Sequence, residues 1–208
     1  MDVSQISAVA FDKDGTLFDF DATWSGWAAR SLRTLAGGEE ALAQTLAAAL
    51  RFDLAREAFH DDSPAIAGTM DDIVACLVPH LAGANHADVA TRLIAMAEAA
   101  DVVEVTPLVP FLSGLKAHGL KLGVVTNDAE AAAHAHLAAV GASTSFDFIA
   151  GSDSGFGGKP EPGQLLAFAE ATHTPPGQVA MVGDSTHDLL AAKAAGMVSV
   201  GVLTGPAG

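Results

Sequence analysis

Three apolar runs in this chain each end abruptly at a cluster of polar residues, and that restricts the folds open to it. Ile6–Phe11 stops at Asp12. Leu122-Gly123-Val124-Val125 stops at Thr126-Asn127-Asp128, and Val179-Ala180-Met181-Val182 stops at Gly183-Asp184-Ser185-Thr186-His187-Asp188. None of the runs alternates polar with apolar. Strands of that kind are buried on both faces, as in a parallel sheet with helices packed on each side. In such sheets a ligand lies beyond the carboxyl ends of the strands. The three polar clusters are therefore expected on one edge, joined by the loop Gly157-Gly158-Lys159-Pro160.

The rest of the pattern fits this reading. After Val105, helices over Pro107–His118, Ala129–Val140, Pro162–Thr172 and Ser185–Ala195 alternate with strands over Lys121–Thr126, Phe146–Ala150, Val179–Gly183 and Val198–Leu203. From about Phe18 to Val105 the character changes to helical spacing alone. Helices are predicted over Ala22–Leu35, Glu39–Leu50, Met70–Leu81 and Ala87–Ala99, with a short one over Asp53–Phe59. Gly37-Gly38, Asp61–Pro64 and Gly83–Asn85 separate them. The expected fold class is α/β: a parallel-sheet core formed by 1–17 and 106–208, interrupted after its first strand by an all-α segment, 18–105.

Composition narrows the function. Ten Lys and Arg stand against 25 Asp and Glu, a formal net charge of −15. A nucleic-acid partner is not expected, because phosphate backbones need many neutralising cations. No apolar stretch approaches the ~20 residues that cross a bilayer, so no membrane partner is expected. Only five residues precede the first strand, which leaves no room for a signal peptide. The single cysteine, Cys76, reads as a buried, inert thiol. Together these point to the cytoplasm. Oligomeric state is not legible.

The polar clusters hold residue types suited to phosphoryl-transfer chemistry. Phosphate monoesters hydrolyse so slowly unaided that enzymes accelerate them by up to roughly 10²¹-fold. A carboxylate nucleophile divides the reaction into two easier steps, and Asp12, at a strand tip, is the candidate. Asp14 is placed to protonate the departing alkoxide and then to deprotonate the attacking water. Mg²⁺ favours hard oxygen ligands in near-octahedral geometry. Asp12 and Asp184 supply carboxylates, with the main-chain carbonyl of Asp14 as a third ligand. Asp188, four residues beyond Asp184, is expected behind them, holding a metal-bound water or orienting Lys159. Thr126 and the N–H of Asn127 are expected to bind the phosphoryl oxygens, and Lys159 to neutralise charge in the transition state.

The segments DKDGTL, VVTND, GKPEPG and GDSTHD, in this order, resemble the four signature motifs of the haloacid dehalogenase-like hydrolase superfamily, most closely its phosphoglycolate phosphatase-like branch. They span Asp12 to Asp188. The resemblance implies a Rossmann-like core, a mobile helical cap, Mg²⁺ dependence and a phospho-aspartyl intermediate at Asp12. It assigns acid/base work to Asp14, phosphoryl binding to Thr126 and Lys159, and metal binding to Asp184 supported by Asp188. The expected activity is hydrolysis of a small phosphorylated metabolite. A phosphomutase of the same superfamily and a catalytically silent binding module are the alternatives. Dehalogenase chemistry is disfavoured, because relatives with that activity lack the second aspartate, here Asp14.

Two departures stand out. Position 13 is Lys where many relatives carry an apolar residue; its stem is expected to pack while the ammonium reaches solvent. The chain also stops soon after the last predicted strand, where relatives usually continue. His134 and His136 should face different sides of one helix and so not form a metal pair. His187 is expected in a solvent-exposed first turn. Trp24 and Trp27, spaced i, i+3, are expected to pack between cap helices, with a lid over the pocket as the alternative. Arg30, Arg33, Arg51 and Arg56 are candidates to read a second anionic group, but acidic neighbours such as Asp53 and Glu57 predict solvated positions.

Overall fold

A five-stranded, wholly parallel sheet organises the computed structural model, which describes residues 5–206. Its strands are β1 (Ala8–Phe11), β4 (Lys121–Val125), β5 (Phe148–Ala150), β6 (Val179–Gly183) and β7 (Val198–Gly201), in spatial order β5-β4-β1-β6-β7. β1 is central, hydrogen-bonded to β4 on one side and β6 on the other, and all four of its residues are buried. Chain order reverses at β1, and the crevice at such a switch point is where open α/β sheets bind ligands. α5 (Leu108–Ala117), α6 (Glu130–Ala139), α7 (Gly163–Ala171) and α8 (Thr186–Ala194) connect the strands. The sheet buries an apolar cluster on each face, one around Leu165, Phe168 and Met181, the other around Phe11, Leu112 and Leu122. This is the α/β architecture that the apolar, non-alternating strands predict.

The inserted segment has its own apolar centre, built from Trp27, Leu32, Leu46, Val74, Leu77 and Leu93 among others. Its helices are α1 (Phe20–Leu35), α2 (Glu40–Ala49), α3 (Met70–Leu77) and α4 (His86–Glu98). The side chains of Asp19, Thr69 and Asn85 cap α1, α3 and α4 by accepting from backbone N–H groups of the first turn. Entry and exit run side by side: Asp19 N–H donates to Val103 O at 2.8 Å and Val105 N–H to Leu17 O at 3.0 Å.

Two expectations change here. Met70–Leu81 is not one helix, because Pro79 turns its end into a 3-10 turn over Val78–His80. The short helix expected over Asp53–Phe59 is a small antiparallel hairpin, β2 (Phe52–Asp53) with β3 (Ala58–Phe59). The Asp53 carboxylate accepts from Ala55 and Arg56 N–H, and Glu57 takes a positive φ of 51°, which fixes a tight turn rather than a helix. The turn brings Phe52 and Phe59 into edge contact at 4.8 Å. The segment is therefore not purely helical.

Candidate active site

The carboxyl ends of β1, β4 and β6 meet as expected. Lys159 is the junction: its ammonium donates to Asp12 Oδ1 at 2.5 Å, to Asp188 Oδ1 at 2.6 Å and to the Val125 carbonyl at 3.0 Å. Residues from three other parts of the chain are thus held by one buried cation. Carboxylate oxygens of Asp12, Asp184 and Asp188 lie within 4.8 Å of one another.

Local sequence explains the closeness. Gly15 takes a positive φ of 86°, and a Cβ there would lie 2.6 Å from Asp184 Oδ2. Only glycine lets the loop after β1 turn this tightly against Asp184. Gly183 plays the equivalent part for Asp188, whose carboxyl carbon would sit 2.3 Å from a Cβ at position 183. Asp188 also caps α8. Its Oδ2 accepts from Ser185 N–H at 2.9 Å and Ser185 Oγ–H at 2.7 Å, while Ser185 Oγ accepts from Asp188 N–H. With Oδ1 taken by Lys159, Asp188 stands behind the cluster.

The site is over-supplied with negative charge. Asp12, Asp14, Asp128, Asp184 and Asp188 gather here, and among the described residues the buried ammonium groups of Lys13 and Lys159 pair with Asp14, Asp128, Asp12 and Asp188. Burial above all, with Asp188 and Asp14 nearby, pushes the Asp12 carboxyl up to about 8 despite the opposing Lys159. Burial alone would lower the Lys159 ammonium, but Asp12 and Asp188 outweigh it and raise the group above its ordinary value.

Thr126 and Asn127 sit on the cavity wall at the end of β4. Thr126 is held by its carbonyl, which accepts from the buried Gln164 amide at 2.9 Å. The Asn127 side chain is committed to scaffolding. Its amide donates to Ala67 O at 2.8 Å and Lys159 O at 2.9 Å, and its carbonyl accepts from Lys159 N–H at 2.7 Å. Only the main chain of Asn127 remains for the phosphoryl role expected of it.

Lys13 overturns its expectation. Its side chain is wholly buried, and the ammonium does not reach solvent. It contacts the Asp14 carboxylate at 2.8 Å and Asp128 Oδ2 at 3.1 Å, donates to His136 Nδ1 at 3.0 Å, and lies 5.0 Å from the Trp24 ring centroid. Burial disfavours the charge, but Asp14 and Asp128 prevail and raise the ammonium above its ordinary value. Burial also raises the Asp128 carboxyl. Asp128, His136 and Gln164 are site-supporting residues that the sequence reading missed. Thr204 is another, its hydroxyl donating to Gly15 O at 2.6 Å.

The cavity in front of Asp12 has an interior of about 60 Å³ and joins core to inserted segment. On the core side it is lined by Asp12, Asp14, Thr126, Lys159 and Asp184. On the other side stand Phe20, Trp24 and Trp27 of α1, with Phe59, Met70 and Ile73. The tryptophans pack edge to face at 5.0 Å, as expected, and both also line the cavity. His187 is not solvent-exposed. It is half-buried in the first turn of α8 and lines the cavity, its Nδ1 buried without a partner. His134 is exposed and His136 buried, so the two do face different sides. Cys76 is half-buried. Arg33, Arg51 and Arg56 pair at the surface with Glu57, Asp62 and Asp53, and Arg30 is exposed.

A family model of the haloacid dehalogenase-like hydrolases matches residues 6–196. The chain belongs to this family. Among curated members, it is 42% identical over 94 residues to phosphoglycolate phosphatase of Escherichia coli strain K12, covering 45% of this chain and 37% of that one. It is 43% identical over 94 residues to phosphoglycolate phosphatase of Neisseria meningitidis, covering 45% and 40%. The match thus spans about two fifths of the length of these relatives. Similar solved hydrolase folds include CbbY from Rhodobacter sphaeroides in complex with phosphate (TM-score 0.68, 23% identity, 96% of this chain and 88% of that one). A second is a HAD phosphatase from Thermococcus onnurineus (TM-score 0.65, 24% identity, 95% and 86%). These likenesses carry the Rossmann-like hydrolase fold. No helix among the described residues is long and apolar enough to cross a membrane.

Proposed function

We propose that this protein is a Mg²⁺-dependent phosphatase of the phosphoglycolate phosphatase-like branch, acting on a small phosphorylated metabolite in the cytoplasm through a phospho-aspartyl intermediate, with 18–105 as its cap. The observation that carries the reading is the meeting of Asp12, Lys159, Asp184 and Asp188 at one end of a small cavity. The cluster fits a hard divalent cation: buried carboxylate oxygens gather with more negative charge than two ammonium groups offset. Asp12, Asp184 and the Asp14 carbonyl would hold the ion, and Asp188 would support it through Lys159. Bound there, Mg²⁺ would neutralise oxygens of the phosphoryl group and of the nucleophile.

The chain's own groups then divide the work. An Asp12 carboxylate oxygen attacks phosphorus, the bond to the ester oxygen breaks, and Asp14 gives that oxygen its proton. In the second step Asp14 takes a proton from water, which attacks the phosphorus of the acyl phosphate and releases inorganic phosphate and the Asp12 carboxylate. Lys13 holds the Asp14 carboxylate in place for both transfers. Lys159 stays beside the nucleophile and balances charge on the transferring group. The Trp24–Trp27 wall keeps bulk water away while the acyl phosphate exists.

Phosphate release from a panel of phosphorylated metabolites tests this directly. Activity is expected with Mg²⁺, lost in excess EDTA and restored by added Mg²⁺. Full activity in EDTA would contradict the metal-dependent scheme, and turnover that moves the phosphoryl group between hydroxyls without releasing phosphate would favour the mutase.

A further inference from the structure

The side chains on the half of the cavity that would receive the leaving group are apolar. Among the described residues, everything the segment 18–105 contributes to the lining is Phe, Trp, Ile, Met, Ala or Gly, and none of its arginines takes part. The opposite half already holds more carboxylates than ammonium groups. An anionic leaving group, such as the carboxylate arm of phosphoglycolate, would lose its hydration there with no cation to meet it and would be repelled by its surroundings. An aromatic or branched alkyl group would replace water against Trp24, Trp27, Phe59 and Ile66 at a gain. The indole N–H of Trp27 is buried away from the cavity surface and, among the described residues, has no acceptor.

We propose that the substrate is a phosphomonoester of an uncharged, largely apolar alcohol, one aromatic ring or a short branched chain in size. This rests on the phosphatase reading above and narrows it to a substrate class.

The test compares kcat/KM for 2-phenylethyl phosphate and 2-phosphoglycolate, with Mg²⁺ present. Acetyl phosphate serves as a reference whose leaving group is too small to fill the aromatic wall. The proposal expects 2-phenylethyl phosphate to lead by at least about tenfold, the lower end of what one apolar pocket contact discriminates. Ile66→Arg, at a half-buried loop position of the wall, is expected to narrow that ratio while acetyl phosphate hydrolysis is still measurable. If acetyl phosphate is hydrolysed but 2-phosphoglycolate equals or exceeds 2-phenylethyl phosphate, or neither ester is a substrate, the substrate class is wrong and the phosphatase reading stands. If acetyl phosphate is also inert, both fall. An unchanged ratio in folded Ile66→Arg would also overturn the assignment of this wall to the leaving group.

Discussion

Lys13 Nζ lies 3.0 Å from His136 Nδ1, and the other ring nitrogen of His136 is 2.8 Å from the Ala97 carbonyl at the end of α4. The carbonyl can only accept, so Nε2 carries the ring proton and Nδ1 takes the bond from the ammonium. One buried chain of contacts therefore runs from the Asp14 carboxylate through Lys13 and His136 to the inserted segment. It couples the group expected to move protons to the element expected to cover them.

Removing the cation should be costly. Lys13→Met keeps much of the side-chain volume but leaves Asp14 and Asp128 facing each other without a countercharge. Breaking a buried ion pair from one side costs on the order of 3–5 kcal/mol. Urea denaturation should show a loss of this size, and phosphate release should fall with it. A variant as stable and active as the parent would mean the buried ammonium contributes nothing that a thioether cannot.

His136 should make stability depend on pH in a particular window. Burial, and then the Lys13 charge, lower its imidazole from an ordinary 6.5 to about 4. Between these values the unfolded chain binds a proton that the folded chain does not, so stability is complete above 6.5 and declines as pH falls toward 4. In His136→Gln this component is absent. Melting temperatures from pH 7 to pH 4 should fall less steeply for the variant than for the parent, and parallel curves would refute the assignment.

Asp184 and Asp188 should fail in different ways. Asp188 caps α8 and bridges to Lys159, so Asp188→Ala is expected to lower folding stability by a few kcal/mol, as for any buried partner of a charge. Asp184→Ala should instead raise the Mg²⁺ concentration needed for half-maximal activity, and by more than Asp188→Ala does. Metal titrations of activity alongside thermal denaturation separate the two, and the reverse ranking would mean their positions around the ion have been exchanged.

The legible part of the site consists of residues whose position is set by where a strand ends. Asp12, Thr126 and Asp184 each follow an apolar run, and in a parallel sheet that alone gathers them. Lys159 was legible as a lysine between glycines and a proline in an otherwise cation-poor chain. Lys13 was misjudged because its default, a stem along the surface with its charge in water, depends on what lies above it. Its partner His136 is 123 residues away. His136 could not be told from a solvated helix histidine, because local spacing says which face it occupies and not what covers that face. The β2–β3 hairpin was missed for a simpler reason: two-residue strands are too short to display any period. Asn127 was read for its main-chain N–H, which its side-chain bonds leave open; the scaffolding role of the side-chain amide was not legible, because the Ala67 and Lys159 carbonyls that accept from it lie far off in sequence.

The most direct test of the account is whether Asp12 becomes phosphorylated. The enzyme would be mixed with radiolabelled acetyl phosphate and Mg²⁺, quenched in acid within a turnover, digested and mapped by mass spectrometry. Label on the peptide containing Asp12, absent from a correctly folded Asp12→Asn variant that also releases no phosphate, is the predicted result. Phosphate release by Asp12→Asn at a rate near that of the parent would contradict the account.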